Sequence, residues 1–237
     1  MALFRTIVLV AAMAGAIAGI ALTAFQHAGT VPLILKAETY EARTAPAHGT
    51  GAIHDDHGAG WAPADGLERL GYTTLANIVG AIALALLMVA LGEIAGGIAG
   101  WREGVFWGMA GFAAFTLAPS LSLPPQLPAM PAADLVTRQI WWAATVALTA
   151  GGLALIVFRS ALWAAALGIA LIVTPHLIGA PQPASFETAV PHGLAQRFVT
   201  GVVVSGFLFW VLLGGLAGFV RSRLQADGSR PWLRAND

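Results

Sequence analysis

The chain has 237 residues, 57% hydrophobic and only 10% charged, with a formal net charge of +0 and no cysteine. A soluble domain carries about 25% charged residues, so this surface cannot all face water, and the mean hydropathy of +0.75 agrees. Zero net charge argues against a nucleic acid partner, which needs a basic face. The missing cysteines exclude disulfides, thiolate metal sites, iron–sulfur clusters and cysteine nucleophiles.

Spanning about 30 Å of hydrocarbon takes roughly 20 apolar helical residues, and a helix is the form that satisfies its own backbone in lipid. The first such run predicts a span near 6–25. Arg5 followed by an apolar stretch resembles a secretory signal, but a signal's apolar region is about 7–15 residues, so a retained helix is expected. Residues 36–69 form a polar loop, and 70–92 a second span. The third, 104–118, should stop at Pro119, and the fifth, 160–174, at Pro175, because proline removes a helix donor and clashes one turn back. The fourth is 139–158. A single helix from 139 to 174 would be about 54 Å long at 1.5 Å per residue, with Arg159 in mid-bilayer, so a hairpin at Arg159 is expected. A sixth span covers 198–220, and 221–237 reads as a tail. Residues 1–220 are thus an all-α, polytopic transmembrane bundle of about six spans, with five as the alternative.

Six spans put both termini on one side, with Arg5, Arg102, Arg159, Arg221, Arg223, Arg230 and Arg234. Lys36, Arg43, Arg69, Arg138 and Arg197 fall on the other, whose loops are longer. The positive-inside rule makes the denser, seven-cation side cytoplasmic. Trp101, Trp107 and Trp163 lie at inner span ends and Trp141 and Trp142 at an outer end, as an interfacial belt would place them. All six histidines (His27, His48, His54, His57, His176 and His192) and eight of the twelve acids fall outside. Imidazole and carboxylate are ligands for borderline divalent metals.

The pattern W-x11-P-x-L-x3-P occurs twice, from Trp107 to Pro125 and from Trp163 to Pro181. Each copy precedes an arginine and a long span, which reads as a parallel hairpin repeat. Glycines four apart (Gly15/Gly19, Gly92/Gly96, Gly96/Gly100, Gly104/Gly108, Gly214/Gly218) are the spacing at which helices approach closely.

His54-Asp55-Asp56-His57 is the densest ligand cluster, in a Gly/Ala-rich stretch whose ordering would cost affinity. His176 follows Pro175 near membrane depth, where a titratable group is functional by default. His27 closes the first helix at similar depth, so the two are expected to converge. Glu38, Asp65, Glu68 and Asp134 are secondary candidates. Glu93, at an inner helix end, fits cation or proton exit, or a plain interfacial role. Arg138 is placed to pair with Asp134, one turn earlier. No H-E-x-x-H, G-x-S-x-G or P-loop motif is present.

Val31-Pro32-Leu33-Ile34-Leu35-Lys36-Ala37-Glu38, Trp61 to Arg69, Leu123-Pro124-Pro125-Gln126-Leu127-Pro128, Ala133-Asp134-Leu135, Arg138-Gln139-Ile140-Trp141-Trp142 and Pro175-His176-Leu177-Ile178-Gly179-Ala180-Pro181 occur in this order. In them the chain resembles the CbtA family, described as a predicted cobalt transporter subunit. The family's third motif usually reads G-L-P-P-E-L-P-G. Ser122, Gln126 and Ala129 depart from it, and the departure at Gln126 removes that loop's acid. The resemblance implies cobalt uptake linked to cobalamin synthesis, beside a small one-span, histidine-bearing partner, CbtB.

The expectation is a bacterial inner-membrane protein that moves a divalent metal, its substrate rather than a cofactor. Outer groups (His54, His57, Asp55, Asp56, Glu38, Asp65, Glu68) would gather the ion, and a site near His27 and His176 would pass it inward. A non-transporting scaffold or accessory subunit is the alternative. A membrane enzyme using Asp65 and Glu68 is a third.

Overall fold

A computed structural model describes residues 1–44 and 63–228, and every described regular element is helical. Seven helices follow one another: α1 Ala2–Gly29, α2 Val31–Thr44, α3 Leu67–Ile94, α4 Trp101–Ser122, α5 Leu135–Phe158, α6 Leu162–Ile178 and α7 His192–Gly228. Five of them, α1, α3, α4, α5 and α7, are long and apolar enough to cross a membrane. The sixth apolar helix, α6, has 17 residues, about 25 Å at 1.5 Å per residue, nearly the thickness of the hydrocarbon. Arg159 is extended (φ −125°, ψ 122°) and ends α5, and α6 turns back to pack on α5. That hairpin separates 139–158 from 160–174 as expected, so the count is about six if α6 crosses the bilayer and five by the long helices alone.

Two bodies of packing result. Helices α1, α3 and α7 share a core of small and branched side chains, among them Val10, Ala14, Ala81, Val89, Leu213 and Ala217, and α4 packs along α7. In lipid the driving force between helices is close packing rather than hydrophobicity. The glycine spacing delivers it in three of the five expected pairs. A Cβ at Gly15 or Gly19 would lie 2.6 Å from the Cα of Ile82 or Ile78. Gly104 and Gly108 abut the backbone of Gly214 and Trp210, and Gly218 that of Gly100. Gly96 would accept a Cβ into open space, so neither pair containing it is a close approach at both of its glycines.

The second body caps one end. Ala37 of α2 is buried with Leu127, Val190, Leu194 and Phe198, and Leu33, Ile34 and Tyr40 pack on that cluster. The expected loop 36–69 is therefore helical at both ends, in α2 and at the start of α3. The amphipathic face of α2 has apolar loop residues to cover. Residues 45–62, with His54, Asp55, Asp56 and His57, lie outside the described residues.

Four boundaries differ from expectation. The first helix runs to Gly29 rather than Phe25. Neither proline stops its helix: α4 passes Pro119 and ends at Ser122, and α6 passes Pro175 and ends at Ile178. Ala113–Leu117 is a π turn just before Pro119, a widening that accommodates the missing N–H and the ring. Pro175 lies in the last turn, and Gly179 (φ 88°) ends the helix. The tail expected from 221 begins instead as helix, since α7 continues unbroken to Gly228.

Candidate functional site

At the end of the bundle where α1 begins and α7 finishes, the turn after α3 brings Glu93 against Arg221 of α7. Arg221 Nη2 donates to Glu93 Oε2 at 2.9 Å, and its Nε donates to Glu93 Oε1. Its Nη1 donates to Ile98 O at 2.7 Å and to Gln225 Oε1 at 3.3 Å. The two side chains are 9% and 14% exposed, so this is a bidentate, nearly dry pair. Gly97 (φ 93°) leaves the room that the guanidinium fills. Glu93 is thereby held in a lock joining the α3–α4 turn to α7, whereas the sequence offered it for cation or proton exit or as a plain interfacial acid.

The opposite, proline-rich end carries, among the described residues, His27, His176 and His192 with Glu38, Asp65, Glu68, Asp134 and Glu187. Glu38 on α2 meets Arg69 on the first turn of α3 (Oε1 to Nη2, 2.6 Å), and Asp65 Oδ1 meets Arg69 Nη1 at 3.1 Å. These two acids serve as partners of an arginine that ties α2 to α3. Glu68 lines a small cleft with Leu67, Gly71, Tyr72 and Leu75. Asp134 caps α5, accepting from Thr137 N at 3.0 Å, and forms no ion pair with Arg138, contrary to the expected pairing. Its carboxylate is turned to the helix's own unsatisfied N–H groups.

His176 sits in the last turn of α6. Its Nδ1 is 2.8 Å from Ser122 Oγ at the end of α4, and its ring meets Trp141 of α5 edge to face at 6.2 Å. Three helices thus hold one imidazole. Its Nε2 is buried and has no hydrogen-bond partner. Four more buried polar atoms lack partners among the described residues: Gln126 Oε1, Arg138 Nε, Trp141 Nε1 and Thr149 Oγ1. All five belong to α5, α6 or the loop after α4, and none to the α1–α3–α7 core. Buried polar atoms are almost always paired with protein or water, so these five are positions at which a water or another polar group would complete the pairing.

His27 lies exposed in the last turn of α1. Helix α1 packs on α3, α7 and α2, while α6 packs on α5 and the end of α4, so the two histidines stand on different parts of the bundle. Among the described residues no three His, Asp or Glu side chains are grouped to hold a metal ion. Ser122 carried no signal in the sequence beyond being a departure from a loop motif. The polar triplet between α1 and α3 was also passed over. There Asn77 Nδ2 donates to Thr23 Oγ1 (3.0 Å) and Gln26 Oε1 (2.7 Å). Its signal was available as an amide inside an apolar run, which usually marks an interhelical hydrogen bond.

A family model described as "Probable cobalt transporter subunit (CbtA)" matches residues 4–222. No curated protein and no solved structure matches the chain.

Proposed function

The chain belongs to the CbtA family, whose model describes a cobalt transporter subunit, and from that premise we propose that it takes up cobalt or a similar divalent metal across a bacterial inner membrane, with both termini cytoplasmic. The observation that carries a site for the ion is His176. With the proton on Nδ1, the imidazole donates to Ser122 and leaves the Nε2 lone pair free as a ligand. That nitrogen is buried, unpartnered and within the last turn of an apolar helix. Conduction needs binding loose enough to release, and a single fixed imidazole with exchangeable waters meets that need. His27, Glu68 and the acids and histidines of 54–57 would gather the ion outside. Glu38 and Asp65 would first have to leave Arg69. The product would feed cobalamin synthesis. Membership of a transporter family argues against an enzyme.

A second reading is favoured by one observation: no three-donor group exists among the described residues. In that reading this chain is an accessory subunit whose coordination is completed by a partner such as the one-span CbtB. Cobalt-57 accumulation by cells expressing the chain, alone and with CbtB, tests both. Transport predicts uptake above the vector control and a marked loss in His176→Ala at equal membrane abundance. Uptake only with CbtB favours the accessory reading. Uptake that survives His176→Ala removes the site, and none in either condition removes cobalt transport.

A further inference from the structure

Arg138 stands on the first turns of α5 with no acid within ion-pair distance among the described residues. Its expected partner, Asp134, is occupied as a helix cap. Its Nε is buried and unpartnered. A charge in this position is costly unless something compensates it.

Arg138 lines a cleft of about 320 Å³ formed by the α4 π turn, the loop after α4, the start of α5 and Val202 of α7. Phe115 and Trp142 meet edge to face at 6.0 Å along it, and Pro119, Leu123, Pro124 and Pro125 complete a mainly apolar wall. Its two hydroxyls are engaged. Ser120 donates to Thr116 O at 2.6 Å, and Thr116 Oγ1 accepts from Trp210 Nε1 at 3.2 Å. One unpaired cation therefore faces an otherwise apolar cleft, at the end of a helix long and apolar enough to cross a membrane. The π turn that opens this space is a kind of distortion found often at functional sites.

We propose that this cleft is a binding site for one anionic phospholipid, its phosphate on Arg138 and its first acyl carbons against Trp142 and Phe115. A free anion would satisfy the guanidinium but leave the apolar wall uncovered. A neutral zwitterionic lipid would cover the wall but bring its own cation to the phosphate. An anionic lipid satisfies both. Charge-assisted pairing of arginine with phosphate is bidentate and strong, so its loss should weaken binding by about tenfold or more.

The test is native mass spectrometry of the full-length protein in neutral detergent, offered equal amounts of phosphatidylglycerol and phosphatidylcholine, with and without inorganic phosphate. It reads lipid rather than cobalt, so its outcome is independent of the cargo. Wild type should retain phosphatidylglycerol about tenfold over phosphatidylcholine, and millimolar phosphate should not displace it. Arg138→Gln should erase the preference and Arg138→Lys keep part of it. Val202→Phe fills the cleft and leaves the arginine in place, and it should also lose the lipid. Equal retention of both lipids by wild type overturns the proposal. So does a preference that survives both Arg138→Gln and Val202→Phe, or displacement by inorganic phosphate, which makes the site one for free anions. If Arg138→Gln fails to fold, the lysine and phenylalanine variants decide alone.

Discussion

Ser122 and His176 are 54 positions apart and 2.8 Å from each other, and their pairing sets what the imidazole can do. A partner that orients a ligating histidine is worth roughly 10–100-fold in metal affinity. Ser122→Ala should therefore raise the cobalt concentration at half-maximal uptake by about tenfold and leave the maximal rate nearly unchanged. A purely structural hydroxyl would instead lower protein abundance with no shift in the concentration dependence, so measuring both separates the two. Glu93 and Arg221 invite a different experiment. Breaking a buried pair strands a charge and costs about 3–5 kcal/mol. Arg221→Ala and Glu93→Ala should each lower the thermal unfolding temperature of the detergent-solubilised protein strongly. The double variant should cost less than the sum, because it strands nothing. Additive losses would mean that the two side chains do not act as a pair. Histidines, acids and the lone Glu93 were all visible in the sequence. The partners of His176, Glu38 and Glu93 were not, because each of those pairings joins residues from different helices and depends on how the helices are rotated.

Six apolar stretches were legible as helices because lipid leaves the backbone no other economical form, and the spacing of Arg159 between two runs was enough to place a hairpin. Helix ends read less well. Pro119 was expected to terminate α4, yet a proline needs only local relief, and the π turn at Ala113–Leu117 supplies it. Neighbouring glycines of α5 show how finely the seam is fitted. A Cβ on Gly152 would meet the Gly168 backbone and the Ile172 side chain of α6, whereas one on Gly151 would meet nothing within 4 Å. Gly152→Ala should destabilise the protein by about 1–3 kcal/mol through overpacking. Gly151→Ala should be neutral or gain up to about 1 kcal/mol from helix propensity. Thermal unfolding of the two variants side by side measures this. Equal behaviour would show that α5 and α6 are not in the close register described. The sequence offered no way to choose between these adjacent glycines, since both lie in the same apolar run.

At the scale of the molecule, α6 counted as a sixth pass puts the α5–α6 turn at the end where α1 begins and α7 finishes, and the loop after α6 at the proline-rich end. The terminal end holds Arg102, Arg159, Arg221 and Arg223, with Arg221 neutralised by Glu93. The remaining exposed arginines are what the positive-inside rule counts in the proposal that this end is cytoplasmic. Because the chain has no cysteine, single cysteines report topology without background. Gln182→Cys lies in the exposed loop after α6 and Arg159→Cys in the exposed turn after α5. A membrane-impermeant maleimide should label Gln182→Cys in spheroplasts, and label Arg159→Cys only after permeabilisation. The reverse pattern would invert the protein and reverse the proposed direction of uptake, because the histidine-bearing end would then face the cytoplasm. An Arg159→Cys that stays unlabelled in both states would put that residue within the bilayer, as a single helix over 139–174 requires, and would remove the hairpin on which the six-pass topology depends.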